Sequence, residues 1–285
     1  MGVDGRMADR KGKEEAAGKE EVAAKEKRRS AKKNKRRQKK SPPMPTVVQR
    51  LFDTCKEVFA DCGADVVPAA EDIERLRAIL DDMKPEDVGL TPNLPCFRSN
   101  AVSQGPPVIT YLSLYESPKF SICIFCMPKS AVIPLHNHPG MTVFSKILFG
   151  SMHIKSYDWV SNPQNSNEMV RNTDGARLAK VNTDDVFKVP CNTSILYPAA
   201  GGNMHRFTAV TPCAVLDVLG PPYSTYEGRD CTYYNDDLPY LRSSGDVVFV
   251  PDEHERYAWL KERVGMPDDC FVLAAEYKGP KIVEH

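Results

Sequence analysis

FSICIFCMPKSAVIPLHNHPGMTVFSKILFGSMHIKSYDW, residues 120–159, is the stretch that decides the fold. Short runs of Ile, Val, Phe and Thr are broken by Pro, Gly and Asn, a texture that suits pleated, half-buried strands. Working outward, similar runs occupy residues 108–115, 120–126, 131–135, 142–149, 151–159, 194–197, 204–210 and 213–219. Many short strands at this spacing predict an all-β barrel or double-sheet roll. The polar stretch 161–175 reads as an exposed loop.

Upstream the period changes from two to three and four. Val48, Leu51, Phe52, Cys55, Val58, Phe59 and Cys62 form one apolar stripe with Gly63 as a stop; Ile73, Leu76, Ile79, Leu80 and Met83 form a second, ended by Pro85. Both predict amphipathic helices. Residues 1–45 are Lys, Arg, Glu, Ala and Gly with almost no aromatic or β-branched residues, so they cannot bury enough apolar surface to offset ordering entropy. They read as a disordered tail, and 46–285 as a single domain. Near the end, Pro251 precedes an acidic turn of Asp252, Glu253 and Glu255, with Leu260 and Val264 as an apolar face. That predicts a short C-terminal helix.

The formal charge of zero conceals an asymmetry. Residues 1–45 hold 16 Lys+Arg against 7 Asp+Glu, so a tail of +9 is carried on a body of −9. An acidic body argues against nucleic acid as its partner, because phosphate attraction needs a basic surface. The runs Lys27-Arg28-Arg29 and Lys32-Lys33-Asn34-Lys35-Arg36-Arg37 read as a nuclear import signal, with a solvated tail as the alternative. Neither a secretory h-region nor a run of about 18 apolar residues is present, so an intracellular protein of nucleus and cytoplasm, without a membrane segment, is expected. Nine cysteines, an odd number, then read as free thiols.

Three of the six histidines fall in two motifs. Pro134-Leu135-His136-Asn137-His138-Pro139-Gly140 lies between strand-like runs, and residues two apart on an extended chain share a face, so both imidazoles can reach one ion. His205 follows Gly201-Gly202-Asn203-Met204 at the start of another run. An H-x-H pair by itself is as readily a hydrogen-bonded turn, but ligands delivered from separate strands into a barrel's mouth are how β-barrels build sites.

The first motif resembles that of the cupins, in which H-x-H is followed by a Glu ligand and then a Gly. Here the Glu position is Val143 and the Gly is Gly150; the second motif is approximated by Pro198 and Gly202, with His205 as its histidine. Three histidines without the carboxylate resemble the thiol dioxygenases, including cysteamine dioxygenase. Cys213-Ala-Val-Leu-Asp217-Val-Leu-Gly-Pro-Pro-Tyr223, followed by Glu227-Gly-Arg-Asp-Cys231-Thr-Tyr233-Tyr234, is similar to the plant cysteine oxidases over roughly 47–285. The resemblance implies a cupin-type double-stranded β-helix, a jelly-roll barrel, holding Fe(II) on His136, His138 and His205. It implies a monomer that uses O2 to convert the N-terminal cysteine of proteins, group VII ethylene response factors among them, to the sulfinic acid, feeding an N-degron in oxygen sensing. Three imidazoles leave open positions for thiolate, amine and dioxygen. By themselves they accept zinc, nickel or copper equally. Alternatives are a dioxygenase for free cysteamine or cysteine, and a non-catalytic metal-binding regulatory cupin.

Four further side chains are candidates. If 204–210 and 213–219 form a hairpin centred on Thr211, residue 205 pairs with 217, and Asp217 faces His205. A carboxylate in so apolar a strand needs a partner, either a ligand histidine, the substrate's amino group or a nearby loop. Tyr223 follows Pro221-Pro222 and either turns its hydroxyl toward the open coordination positions or packs. Cys231 and Tyr233 lie two apart and share a face if extended; the resemblance implies a Cys–Tyr pair capable of crosslinking. Cys123 and Cys126 are separated by an odd step, so on a strand they point to opposite faces and read as core. His153 reads as solvent-facing or supporting, His254 as exposed on the acidic helix, and His285 as terminal.

Overall fold

A computed structural model describes residues 44–97, 105–162, 165–172, 174–239 and 256–284. The basic runs of the tail, His254 and His285 lie outside the described residues. Pro45–His285 clusters as one unit.

Two helices come first: α1 (Val47–Val58), capped by the Thr46 side chain accepting from Gln49 N at 3.1 Å, and α2 (Ala70–Asp82). Then come β1 (Val108–Glu116), β2 (Ser121–Met127), β3 (Val132–His136), β4 (Thr142–Phe149), β5 (Ser151–Trp159), β6 (Ser161–Asn162), β7 (Asn165–Met169) and β8 (Arg177–Lys188). The chain finishes with β9 (Ser194–Leu196), β10 (Met204–Ala209), β11 (Cys213–Gly220), β12 (Tyr233–Pro239), β13 (Tyr257–Arg263) and β14 (Phe271–Ala275).

These strands make two layers, a double-stranded β-helix of the cupin type. One sheet runs β14-β1-β2-β11-β4-β9; the other closes on itself in the order β10-β3-β12-β13-β8-β5. Alternation then sorts side chains. In β2, Ile122, Ile124 and Cys126 pack with α1, α2, Phe144, Leu148 and Leu216. Cys123 and Phe125, between them, point to the other face. That inner face meets Met152, Ile154, Phe207 and Ala209 of the closed sheet. Because β11 is covered on both sides, all eight of its residues are buried, which is why it reads as one apolar run. Inside the closed sheet, Leu135, Tyr157, Met204, Tyr234 and Leu260 form a separate cluster. The Asp236 side chain, 7% exposed, lies beside it and accepts from Tyr157 Oη at 2.7 Å, Lys155 Nζ at 3.1 Å and both Arg206 terminal nitrogens at 3.0 and 3.2 Å.

Three expectations are corrected. The stretch read as a C-terminal helix holds β13 instead: Tyr257–Arg263 pairs with β8 and β12, and Ala258 and Leu260 enter the closed sheet's cluster at period two. Helical propensity is overridden there by two flanking strands whose backbone groups need partners. The polar stretch after Val160 is not wholly loop, since β6 and β7 pair with each other. Finally, β10 and β11 are not a hairpin. β10 pairs with β3 and β5, while β11 pairs with β2 and β4 in the other sheet. The chain turns a corner at Thr211, whose Oγ1 accepts from Ser151 N at 2.9 Å. Gly150, at the parallel corner between β4 and β5, has φ +82°, and a Cβ there would collide with the Pro212 carbonyl and Cys213.

Candidate metal centre

His136 ends β3, and its register partner in β10 is His205. Opposed residues of an antiparallel pair share a face, so these rings project together between the layers. His138 joins them from the turn before β4. The ligating atoms of all three lie within 4.8 Å of one another and all three residues are buried. Phe207, two residues on from His205, stacks on its ring at 4.3 Å with the planes 4° apart.

Hydrogen bonds settle which nitrogen of each ring faces the centre. His136 Nδ1 is 2.8 Å from the Pro134 carbonyl, so it carries the proton and donates it. Tyr223 Oη donates to the Asn137 carbonyl at 2.7 Å, which leaves its lone pairs for His138 Nδ1–H at 3.0 Å. His205 turns its Nε2 toward that of His138. Three Nε2 lone pairs therefore converge, and those of His138 and His205 stand 3.4 Å apart. Burial pushes all three imidazoles below their ordinary pKa, and neighbouring rings add to the effect at His138 and His205, so the rings are neutral. Facing lone pairs at that separation repel unless a cation lies between them, and two bonds of about 2.1 Å to one ion give such a spacing. The donor set fits a metal ion. Among the described residues no carboxylate joins the cluster, and Val143, at the position where a Glu ligand was sought, packs with Cys123, Met141 and Leu219.

Support for the site comes from residues that sequence reasoning did not single out. Asn203 is buried; its Oδ1 accepts from His138 N at 3.1 Å, and its Nδ2 donates to the carbonyls of His138 and Tyr197, each at 2.9 Å. Asp158 holds the approach to His205 by accepting from Gly202 N at 2.9 Å and Asn203 N at 3.1 Å. Asn137 Oδ1 accepts from Thr232 N at 2.8 Å, tying the histidine turn to the loop that carries Cys231. The positions of the two Asn, one between the histidines and one two before His205, were the only hints.

A cavity of about 140 Å³ opens beside the three rings, lined also by Tyr111, Cys123, Asp217 and Tyr223. Asp217 reaches it from the sheet opposite the histidines, with Cys123 and Ser145 as its register neighbours. It is not hydrogen-bonded to a ligand histidine. Its Oδ1 is buried with no partner among the described residues, Ser145 bonds the carboxyl, and burial pushes its pKa up to about 7. Tyr223 supports His138 and does not pack as a bystander; its ring lies 5.5 Å from that imidazole. Burial raises the Cys231 thiol, and the Tyr223 and Tyr233 hydroxyls are the next influences on it, so these three side chains share one wall. Tyr233 is also the register neighbour of His136. His153 lies apart from the site, half-buried and 2.9 Å from Asp184. Cys123 and Cys126 do point to opposite faces, but the first lines the cavity.

Three imidazoles placed to hold a metal on a cupin-type roll, with no carboxylate beside them among the described residues, define the class of site. A family model described as PCO_ADO matches residues 79–282. Plant cysteine oxidase 2 of Arabidopsis thaliana is 59% identical over 83% of this chain and 83% of its own length, and plant cysteine oxidase 1 of the same plant is 57% identical over 83% and 80%. The 2-aminoethanethiol dioxygenase of Mus musculus is 28% identical over 75% of this chain and 86% of that one. The chain belongs to the PCO_ADO family of thiol dioxygenases. Its substrates are a thiol and O2, and among the described residues no helix is long and apolar enough to cross a membrane.

Proposed function

We propose that this protein is an Fe(II)-dependent dioxygenase that converts the N-terminal cysteine of target proteins to cysteine sulfinic acid. The observation that carries this reading is the pairing of three buried neutral imidazoles with a single carboxyl, Asp217, on the far wall of a cavity of about 140 Å³. At ~30 Å³ per water, that space takes a few waters or one small residue. An aminothiol at a chain end can enter it; a cysteine flanked on both sides by peptide cannot.

His136, His138 and His205 would hold the iron, which supplies the electrons that make O2 reactive toward sulfur and leaves positions for thiolate and amine. The remaining work belongs to the chain. Tyr223 keeps His138 in the tautomer whose Nε2 faces inward. Asp217, with one oxygen unpartnered, is placed to accept a hydrogen bond or proton from the substrate's amino group. Cys231 and Tyr233 continue the wall beside Tyr223, and Phe207, Phe125 and Ile133 keep it dry. Both oxygen atoms enter the sulfur, the second rung of the cysteine oxidation ladder.

The named relatives support a cysteine substrate; group VII ethylene response factors as its bearers, and an oxygen-dependent N-degron as the outcome, are part of this proposal. The basic runs at residues 27–37 support nuclear as well as cytoplasmic residence. Incubation of the iron-loaded protein with a Cys-initiating peptide in air should add two oxygen atoms to the peptide. Faster turnover of free cysteine or cysteamine than of peptide would sink the protein-substrate reading and leave a small-thiol dioxygenase.

A further inference from the structure

Alternation along β1 predicts that Glu116 faces the helices; a bulge turns it to the side of the metal cavity instead. Counting by twos from Tyr111 and Ser113 on the inner face leaves Glu116 with Leu112 and Leu114 on the outer one, but the β1–β2 register shifts between Ser113 and Tyr115. Tyr115 thereby packs outward against Phe52 and Phe120, and Glu116 comes round to pair with Ser121, which lines the cavity. Bulges of this kind re-aim a side chain, and they recur beside functional sites.

The inward carboxylate is held in place. Tyr111 Oη donates to Glu116 Oε1 at 3.1 Å, and Ser113 Oγ donates to the same oxygen at 2.8 Å. Among the described residues Oε2 has no donor, and Glu116 is exposed. Strand β14 covers the edge of β1 only from Val108 to Leu112, so Glu116 stands on an open edge while Tyr111, bonded to it, lines the cavity.

We infer that Glu116 is a specificity-determining residue of the dioxygenase, the carboxylate that receives a cationic side chain, Lys or Arg, on the residue following the substrate's cysteine. This rests on the reading of the substrate as a cysteine-initiating protein. Register sets the span: Ser113 faces Cys123 and Cys123 faces Asp217, so Ser113 and Asp217 stand two strands apart in one row. At about 4.8 Å per strand, the Glu116 carboxylate held on Ser113 lies roughly 10 Å from Asp217. A cysteine whose amino group meets Asp217 is followed by one residue rise of about 3.4 Å, and the stem of a lysine or arginine adds about 6 Å. The two carboxylates thus match the two positive charges of such a chain end, one deep beside the histidines and one at the rim. An acidic second residue would instead bring like charges together.

Three peptides identical but for the second residue, beginning Cys-Lys, Cys-Gly and Cys-Glu, are given to the iron-loaded protein in air, and kcat/KM is read from the gain of two oxygen atoms. Cys-Lys should exceed Cys-Glu about fivefold at low salt, the upper range for an exposed ion pair, and the ratio should shrink at about 0.5 M salt. Glu116→Gln should bring the ratio toward one and Glu116→Lys should invert it, an inversion that a purely structural carboxylate would not give. Binding of non-reacting Ser-initiating counterparts, measured by calorimetry, should follow the same order and needs no turnover. Should the variants fold poorly, the salt dependence of the wild-type ratio decides. Equal kcat/KM for Cys-Lys and Cys-Glu, or a preference that Glu116→Lys leaves unchanged, would overturn the inference. Absence of oxygen uptake with the binding order intact would defeat the dioxygenase reading and leave the Glu116 contact supported.

Discussion

Tyr223 Oη stands 3.0 Å from His138 Nδ1 and passes its own proton to the Asn137 carbonyl at 2.7 Å, so one hydroxyl orients a ligand ring and braces the turn that carries it. Tyr223→Phe removes the acceptor and leaves His138 Nδ1–H buried without a partner. Partners of metal-ligating histidines typically contribute about 10–100-fold to metal affinity. The variant should lose metal to a chelator correspondingly faster, at nearly unchanged folding. Equal retention in the two proteins would count against this role.

Asn203 makes three buried hydrogen bonds that fasten His138 to the His205 turn. Asn203→Ala orphans one N–H and two carbonyls, a loss on the order of 2–4 kcal/mol when each net bond is worth about 1 kcal/mol and buried orphans cost more. Urea denaturation and metal content should both fall. Asn203→Asp keeps the acceptor for His138 N but lacks the donors, and should lie between them.

Asp217 makes stability depend on pH. Its pKa is pushed up to about 7 in the folded protein, against an ordinary value of 3.8, so the folded state holds the proton more tightly than the unfolded chain does. Stability from this group is present below about 4 and is lost as pH rises toward about 7, an upper bound of ~4 kcal/mol. The neutral histidines work the other way, so the informative quantity is wild type minus Asp217→Asn, measured on metal-free protein at pH 5 and 7.5. The variant should gain relative stability at the higher pH; a pH-independent difference would contradict the buried carboxyl. Bound metal, a cation across the cavity, should flatten the slope.

His205→Ala removes one of three donors while leaving β10 paired with β3 and β5. Metal content of the purified variant should drop to background and turnover with it, whereas the far-ultraviolet dichroism of the sheets should persist. Retention of stoichiometric metal would show that the ion sits elsewhere.

Asp236 accepts from Lys155 Nζ and from both terminal nitrogens of Arg206, and it also accepts the Tyr157 hydroxyl's hydrogen bond. Asp236→Asn leaves two cations beside a neutral amide at a buried position, a loss of about 3–5 kcal/mol by analogy with broken buried pairs. Thermal melting should drop steeply while residual folded protein keeps its metal, since this network faces the closed sheet's interior and not the histidines.

What the sequence determined by itself was local. The period of three and four at Val48–Leu51–Phe52–Cys55 marks a helix whose buried residues match, and the two-residue step from His136 to His138 lets both rings meet one ion. The run Cys213–Gly220, apolar but for Asp217, marks a strand covered on both faces. Periodicity reports which way a side chain faces, and that needs no knowledge of partners. The tertiary structure decided everything that depends on pairing. Backbone hydrogen-bonding groups are the same in every residue, so nothing local says that β10 and β11 belong to different sheets or that Asp217 confronts the histidines across the gap between layers. For the same reason the polar strand Arg177–Lys188 and the strand Tyr257–Arg263, each supported by neighbours on both sides, were not legible. Asn203 and Asp158 became visible only once distant segments stood side by side, because a hydrogen bond is specified by position in space and leaves no period in the chain.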